Sequence, residues 1–132
     1  MRKTKKNRAA IVIIQAGDTG RVVAMERSKD DGKYGFIGGK CEGGEVPWKT
    51  AIREVKEEIG FNIKSVADWQ NELVLLGSCA DNTSHDTTAY FLKVPHEFEI
   101  KSSTEGVCKW LSLTEYTSND AYPAYTGWLL AN

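Results

Sequence analysis

One stretch of the chain, "GGKCEGGEVPWKTAIREVKEEIGF" at positions 38–61, limits what the rest can fold into. Four glycines, Gly38, Gly39, Gly43 and Gly44, precede a helical pattern that starts at Pro47 and stops at Gly60. Proline is tolerated in the first turn of a helix and glycine favours its end, so the spacing predicts one helix over Pro47–Ile59. Trp48, Ile52, Val55 and Ile59, with Ala51, recur at helical spacing and define the expected buried stripe. Glu54, Glu57 and Glu58 are expected to share a side of the helix away from it. Clustered glycines cost conformational entropy and clustered like charges repel, so the stretch needs a reason beyond structure.

The surroundings are strand-like. Residues Arg8–Gln15 are β-branched and continuous, and "GDTG" (Gly17–Gly20) is a turn leading into "RVVAMER", a hairpin pattern. "YGFIGGK" is a short apolar piece broken by glycines. After the helix, Asn71–Cys79, Thr87–Val94 and Val107–Leu113 read as strands, followed by a turn at Thr114 and Glu115. The ending "AYPAYTGWLLAN" reads as a short helix. Strands on both sides of one central helix, with a closing helix, imply a mixed α/β domain whose helices cover a sheet.

At 132 residues, 41% of them hydrophobic, the chain suits a single domain over residues 1–132 with its own core. Seventeen basic against eighteen acidic residues give a formal charge of -1, so no overall field recommends nucleic acid or an anionic membrane as partner. The basic cluster Arg2, Lys3, Lys5, Lys6 and Arg8 reads as a frayed terminus. The longest apolar run, Ala9–Ile14, is far short of the roughly 20 residues of a membrane span. Cys41, Cys79 and Cys108 are odd in number and widely spaced, which favours reduced thiols and a cytoplasmic setting.

The glutamates acquire a function beside the glycines. Oxygen-only ligands favour a hard cation, and Mg²⁺ takes a few carboxylates together with waters and phosphate oxygens. A glycine-rich loop lets backbone groups approach an ion or a phosphate chain closely. Together they describe a site for a metal-bound polyphosphate.

The spacing Gly39, five residues, Glu45, seven residues, then Arg53-Glu54-Val55-Lys56-Glu57-Glu58-Ile59-Gly60-Phe61 resembles the Nudix box, G-x5-E-x7-R-E-U-x-E-E-x-G-U with U a bulky apolar residue. Every fixed position is present over these 23 residues. Looser likeness extends to "YGFIGGK", "TTAYFLKV" and "EGVCKWLSLTEY". The resemblance implies an α/β/α sandwich with a mixed sheet, a loop-helix-loop at the box and a C-terminal helix. It also implies a MutT-like hydrolase that cleaves a nucleoside diphosphate linked to another moiety, with Mg²⁺ or Mn²⁺.

Carried over by position, the resemblance gives metal ligands at Glu54, Glu58 and the Gly38 carbonyl, with Glu57 a third ligand or base. Arg53 and Glu45 resemble the pair that orients the catalytic glutamates. The general base is Glu105, which precedes Trp110 much as a loop glutamate does in the triphosphate hydrolases, or else Glu57 or Glu58. Gly39 and Lys40 are expected beside the phosphates, and Tyr34 or Tyr125 against the base. Phe36, Tyr90 and Trp128 are further aromatic candidates with core packing as their expected fate, and His85 and Asp86 lie in a loop that can face substrate.

Two positions depart from the family's pattern. Ile37 stands where proline is common, and Val46 replaces the usual Ser or Thr cap, a loss of about 1 kcal/mol. Beyond the box, "LGSCA" lacks the proline of ADP-ribose hydrolases and the tyrosine of diadenosine polyphosphate hydrolases. Elimination favours a nucleoside triphosphate converted to monophosphate and pyrophosphate. An ADP-ribose or nucleotide-sugar hydrolase and a non-catalytic nucleotide sensor are the alternatives. Tyr125, where "YPAY" is laid on "FPPAN", replaces the purine-reading asparagine of the oxidised-guanine hydrolases. A nucleotide is thus the expected partner, without nucleic acid polymer or membrane, and a homodimer is an assembly common in the family.

Overall fold

The first strand, β1 (Asn7–Ala16), is apolar from Ala9 to Ile14 because both its faces are covered there. Ala10, Val12, Ile14 and Ala16 point into one buried cluster, and Ile11 and Ile13 into another. The structure is a computed structural model that describes residues 7–26, 34–81, 85–101 and 107–118. The expected C-terminal helix, together with Glu105, Tyr125 and Trp128, lies outside these residues.

From β1 the chain turns back through β2 (Val22–Glu26), where Gln15 faces Val22 and the turn is closed by Ala16 N–H donating to the Arg21 carbonyl at 2.9 Å. The "YGFIGGK" piece divides into β3 (Tyr34–Gly35), paired with β2, and β4 (Ile37–Lys40), paired antiparallel with β1. Helix α1 (Pro47–Ile59) follows, then one 3-10 turn at Ile63–Ser65 and the single-turn α2 (Trp69–Glu72). Strands β5 (Val74–Asp81) and β6 (His85–Val94) form an antiparallel pair, and β6 lies parallel to β1 with Ile11 opposite Ala89. Strand β7 (Val107–Leu111) pairs with β2, and α3 (Leu113–Ser118) ends the described chain. The sheet order is β3-β2-β1-β6-β5, with β4 beside β1 and β7 beside β2.

The two apolar clusters define the layers. Ala51, Val55 and Ile59 of α1 seal one sheet face, and Tyr116 of α3, stacked on Phe36 at 4.6 Å between ring centroids, belongs to the other. This is a mixed α/β architecture, as the order of elements implied. No helix of the described residues is long and apolar enough to cross a membrane, and Cys41 and Cys108 are free thiols.

Three local expectations fail for physical reasons. The strand expected from Asn71 starts at Val74, because Trp69–Glu72 close a helical turn after Asp68, whose φ is 59°. The strand expected to reach Leu113 stops at Leu111. The turn expected at Thr114 and Glu115 is helical: Glu115 N–H donates to Ser112 Oγ at 3.0 Å while Ser112 N–H donates to Glu115 Oε1 at 3.1 Å. That reciprocal pair is a capping box, spelled by Ser112 and Glu115.

Candidate active site

The four glycines serve two different purposes. Gly43 (φ 41°) and Gly44 (φ 78°) are the centre of a turn closed by Glu45 N–H on the Glu42 carbonyl at 2.7 Å. Positive φ at both central residues is the mirror-image turn that glycine makes without steric cost. Gly38 and Gly39 instead lie in β4, where the need is space. A Cβ on Gly38 would strike the Ala10 carbonyl oxygen and come within 2.7 Å of Ile11 Cγ2. A Cβ on Gly39 would strike Glu54 Oε1 and come within 2.5 Å of the Glu54 carboxyl carbon.

The glutamates are likewise not equivalent. Glu54 and Glu58 are only 9% and 2% exposed, so they lie inside the protein rather than on the polar side expected for them. Thr50, Ala51, Glu54, Val55, Glu58 and Ile59 form one continuous buried arc of α1, about half the helical circumference. Trp48, expected in the stripe, is 38% exposed. It sits in the first turn, where it packs against Trp69 at 5.8 Å and has no core to enter. Ile52 is half-buried at the edge of the arc. Glu57 falls just outside the opposite edge, its side chain 55% exposed.

Helix α1 begins without a side-chain cap at Val46, as its sequence implied, with Lys49 and Thr50 N–H on the Val46 carbonyl. Gly60 ends it in the left-handed conformation at φ 72°, its N–H on the Lys56 carbonyl at 3.0 Å.

Arg53 joins the loop to the glutamates. Its Nε and Nη2 each donate to one oxygen of Glu45 at 3.0 Å, a bidentate pair, and Nη2 also donates to the Lys40 carbonyl at 3.0 Å. Nη1 lies 3.3 Å from Glu54 Oε1 and 3.3 Å from both oxygens of Glu57. All three guanidinium nitrogens are engaged, a geometry that lysine's single ammonium does not reproduce. Glu45 also accepts from Thr50 Oγ1 at 2.7 Å and from Glu42 N–H at 3.2 Å. The Arg53 hydrogen bonds, then that of Thr50, hold the Glu45 carboxyl down at about 2, against an ordinary 4.5. The same carboxylate raises Arg53 further above its usual range. Thr50 was not among the residues singled out from the sequence. Its signal was position, since it shares the buried arc with Glu54 one turn on.

The donors suit a hard divalent cation. The Glu54 carboxylate is seated against bare Gly39 with buried Glu58 one turn on, and two carboxylates held this close repel less when a cation sits between them. Among the described residues no three His, Cys, Asp or Glu side chains converge as a ready metal cluster. The protein would therefore supply a partial set, Glu54 and Glu58 with the Gly38 carbonyl, the remainder coming from water and phosphate oxygens as Mg²⁺ prefers. Cys108 on β7 reports the charge here: burial first, and then Glu58, push its thiol up to about 11.

Lys40 is exposed at the end of β4, its carbonyl held by Arg53. Tyr34, expected against a nucleobase, is 7% exposed in the cluster on the sheet face away from α1, with Lys109 Nζ 5.4 Å above its ring. Phe36 and Tyr90 are buried core residues, whereas His85 and Asp86, expected in a loop before a strand from Thr87, instead open β6 because they pair with β1 and β5, with Asp86 exposed.

The NUDIX domain family matches residues 5–129. The dihydroneopterin triphosphate diphosphatase of Escherichia coli K12 is 30% identical over 118 residues, covering 81% of this chain and 79% of that protein. The Haemophilus influenzae protein of the same name is 38% identical over 63 residues, 48% of this chain and only 40% of that relative's length. Among solved structures, the E. coli dihydroneopterin triphosphate pyrophosphohydrolase superposes with a TM-score of 0.75 at 24% identity, covering 98% of this chain and 97% of that one, a likeness of fold.

Proposed function

Because this chain belongs to the Nudix family, and is thus a pyrophosphohydrolase acting on a phosphoric anhydride, we propose that its substrate is a nucleoside triphosphate or a pterin triphosphate of similar build, cleaved to the monophosphate and pyrophosphate. The observation that carries the site assignment is the seat of the Glu54 carboxylate against bare Gly39, beside buried Glu58. The E. coli and H. influenzae relatives, named for a triphosphate substrate, support the choice of a triphosphate.

Glu54, Glu58 and the Gly38 carbonyl would hold Mg²⁺ or Mn²⁺, which supplies charge neutralisation at the phosphates and a more acidic water. The chain's own residues do the positioning. The turn at Gly43 and Gly44 brings β4 back onto α1, and Arg53 locks the two by gripping the Lys40 carbonyl and Glu45 together. Lys40, exposed at that rim, offers a cation to the phosphate chain. In the reaction a water oxygen bonds to phosphorus at the α–β anhydride as the bridging P–O bond breaks. The bond's electron pair stays on the bridging oxygen, which leaves with the pyrophosphate when the α phosphorus is attacked and with the monophosphate when the β phosphorus is. The water's proton passes to a carboxylate, one of Glu57, Glu58 and Glu105.

The test is a panel of NTPs, dNTPs, oxidised dNTPs, dihydroneopterin triphosphate, ADP-ribose, nucleotide sugars and dinucleotides with Mg²⁺, the products resolved by chromatography. Triphosphates are expected to give monophosphate and pyrophosphate as the preferred reaction. Preference for ADP-ribose or a dinucleotide, or release of orthophosphate alone, contradicts the substrate assignment.

A further inference from the structure

Thr50 is completely buried, yet it carries a hydroxyl, and the hydroxyl has a choice of acceptors. Glu45 Oε1 lies 2.7 Å away and the Val46 carbonyl, one turn back, 3.4 Å away. A threonine in mid-helix commonly uses that carbonyl. Here the shorter contact is to the carboxylate, the stronger acceptor. The oxygen that Thr50 holds is also the one that receives Arg53 Nη2 and the Glu42 N–H.

We propose that Thr50 is a positioning residue for hydrolysis: its hydroxyl fixes the Glu45 carboxylate in the plane that Arg53 grips with two nitrogens, and through Arg53 it sets Glu54 and the Lys40 backbone. The chain of contacts is continuous. A carboxylate free to rotate about its terminal torsion would meet the guanidinium with one oxygen. Nη2 would then lose its bidentate partner, and with it the geometry that aligns its bond to the Lys40 carbonyl. Nη1 would shift relative to Glu54 Oε1 and Glu57. Thr50 touches neither substrate nor metal in this scheme. It acts on the reaction through Glu45 and Arg53, and so the inference rests on the active-site assignment above.

Two variants separate a hydrogen-bonding role from a packing role. Thr50→Val keeps the shape and removes the hydroxyl, whereas Thr50→Ser keeps the hydroxyl and removes the methyl. For Thr50→Val we expect kcat to fall roughly 10- to 100-fold, the range seen when a residue supporting a site's ligands is lost, with little change in KM. Mn²⁺ affinity of the protein, followed by electron paramagnetic resonance, is expected to weaken in parallel. Thr50→Ser is expected to restore both. In metal-free protein, amide exchange at Glu42, whose N–H is held by Glu45, is expected to quicken in Thr50→Val and to stay unchanged in Thr50→Ser. If Thr50→Val does not fold, Thr50→Ala is compared with Thr50→Ser in the same way. Wild-type kcat and Glu42 exchange in the hydroxyl-free variant overturn the proposal, and so does equal impairment of the serine variant. Absence of turnover and Mn²⁺ binding in the wild type defeats the active-site assignment instead, and the Glu42 exchange still decides whether the Thr50 hydroxyl fixes the Glu45 carboxylate.

Discussion

Gly39 and Glu54 occupy each other's space: the place of a side chain on β4 is filled by the carboxylate of α1. Nothing in the backbone angle of Gly39 requires glycine, in contrast to Gly43 and Gly44. Gly39→Ala should therefore leave the strand intact and move the carboxylate. A displacement of that order is expected to lower kcat about 100-fold, with the far-ultraviolet circular dichroism spectrum unchanged. Activity within threefold of wild type, a margin of about 0.65 kcal/mol in the barrier, would show that Glu54 is not held where the reaction needs it.

Arg53 makes a second separation possible, between charge and geometry. Arg53→Lys keeps the positive charge and loses the planar fork that serves Glu45, Lys40 and Glu54 at once. Steady-state kinetics are expected to show a drop in kcat of roughly 10- to 100-fold. An unimpaired lysine variant would reduce Arg53 to a counter-charge.

The depressed Glu45 carboxyl gives a pH signature. Its folded value of about 2 lies below the ordinary 4.5, so between those values the unfolded chain binds the proton more tightly. The stabilisation is complete above about pH 4.5 and is lost as the pH falls towards about 2. Urea midpoints of wild type and Glu45→Gln should differ by a constant amount above that window and converge within it. A difference that grows on acidification would reverse the sign and contradict the ion pair.

The helix offers a check on burial. Ile59 is 1% exposed, and Ile59→Ala is expected to cost about 2–5 kcal/mol. Trp48 is 38% exposed, with Trp69 and the Lys49 ammonium against its ring, so Trp48→Ala is expected to cost less than Ile59→Ala. Chemical denaturation of the two variants orders them, and a larger loss at Trp48 would place it in the core.

The same helix shows what the sequence carried and what it did not. Pro47 and Gly60 marked its ends to the residue, because both act through local backbone geometry. Helical periodicity found Ala51, Val55 and Ile59, but it set Glu54 and Glu58 on a side away from that stripe. Glu54 is buried where bare Gly39 on β4 leaves room for its carboxylate, and periodicity has no access to that packing. Trp48 failed for the complementary reason: its angle fits the stripe, but the first turn has no core beneath it. The Ser112–Glu115 capping box was written in four consecutive residues and was legible in principle. Tyr34 was ambiguous, since a tyrosine on a short strand suits either a ligand or a core, and pairing of β3 with β2 put it in the core.

Buried Glu54 and Glu58 of α1 are proposed to organise the hydrolysis of a phosphoric anhydride. The direct measurement is turnover of a triphosphate by wild type and Glu58→Gln under saturating Mg²⁺, with pyrophosphate quantified and folding checked by circular dichroism. A folded glutamine variant that has lost pyrophosphate release by about 100-fold or more, the scale of a lost charge stabiliser, is the expected result. Equal pyrophosphate release by both proteins would contradict the assignment.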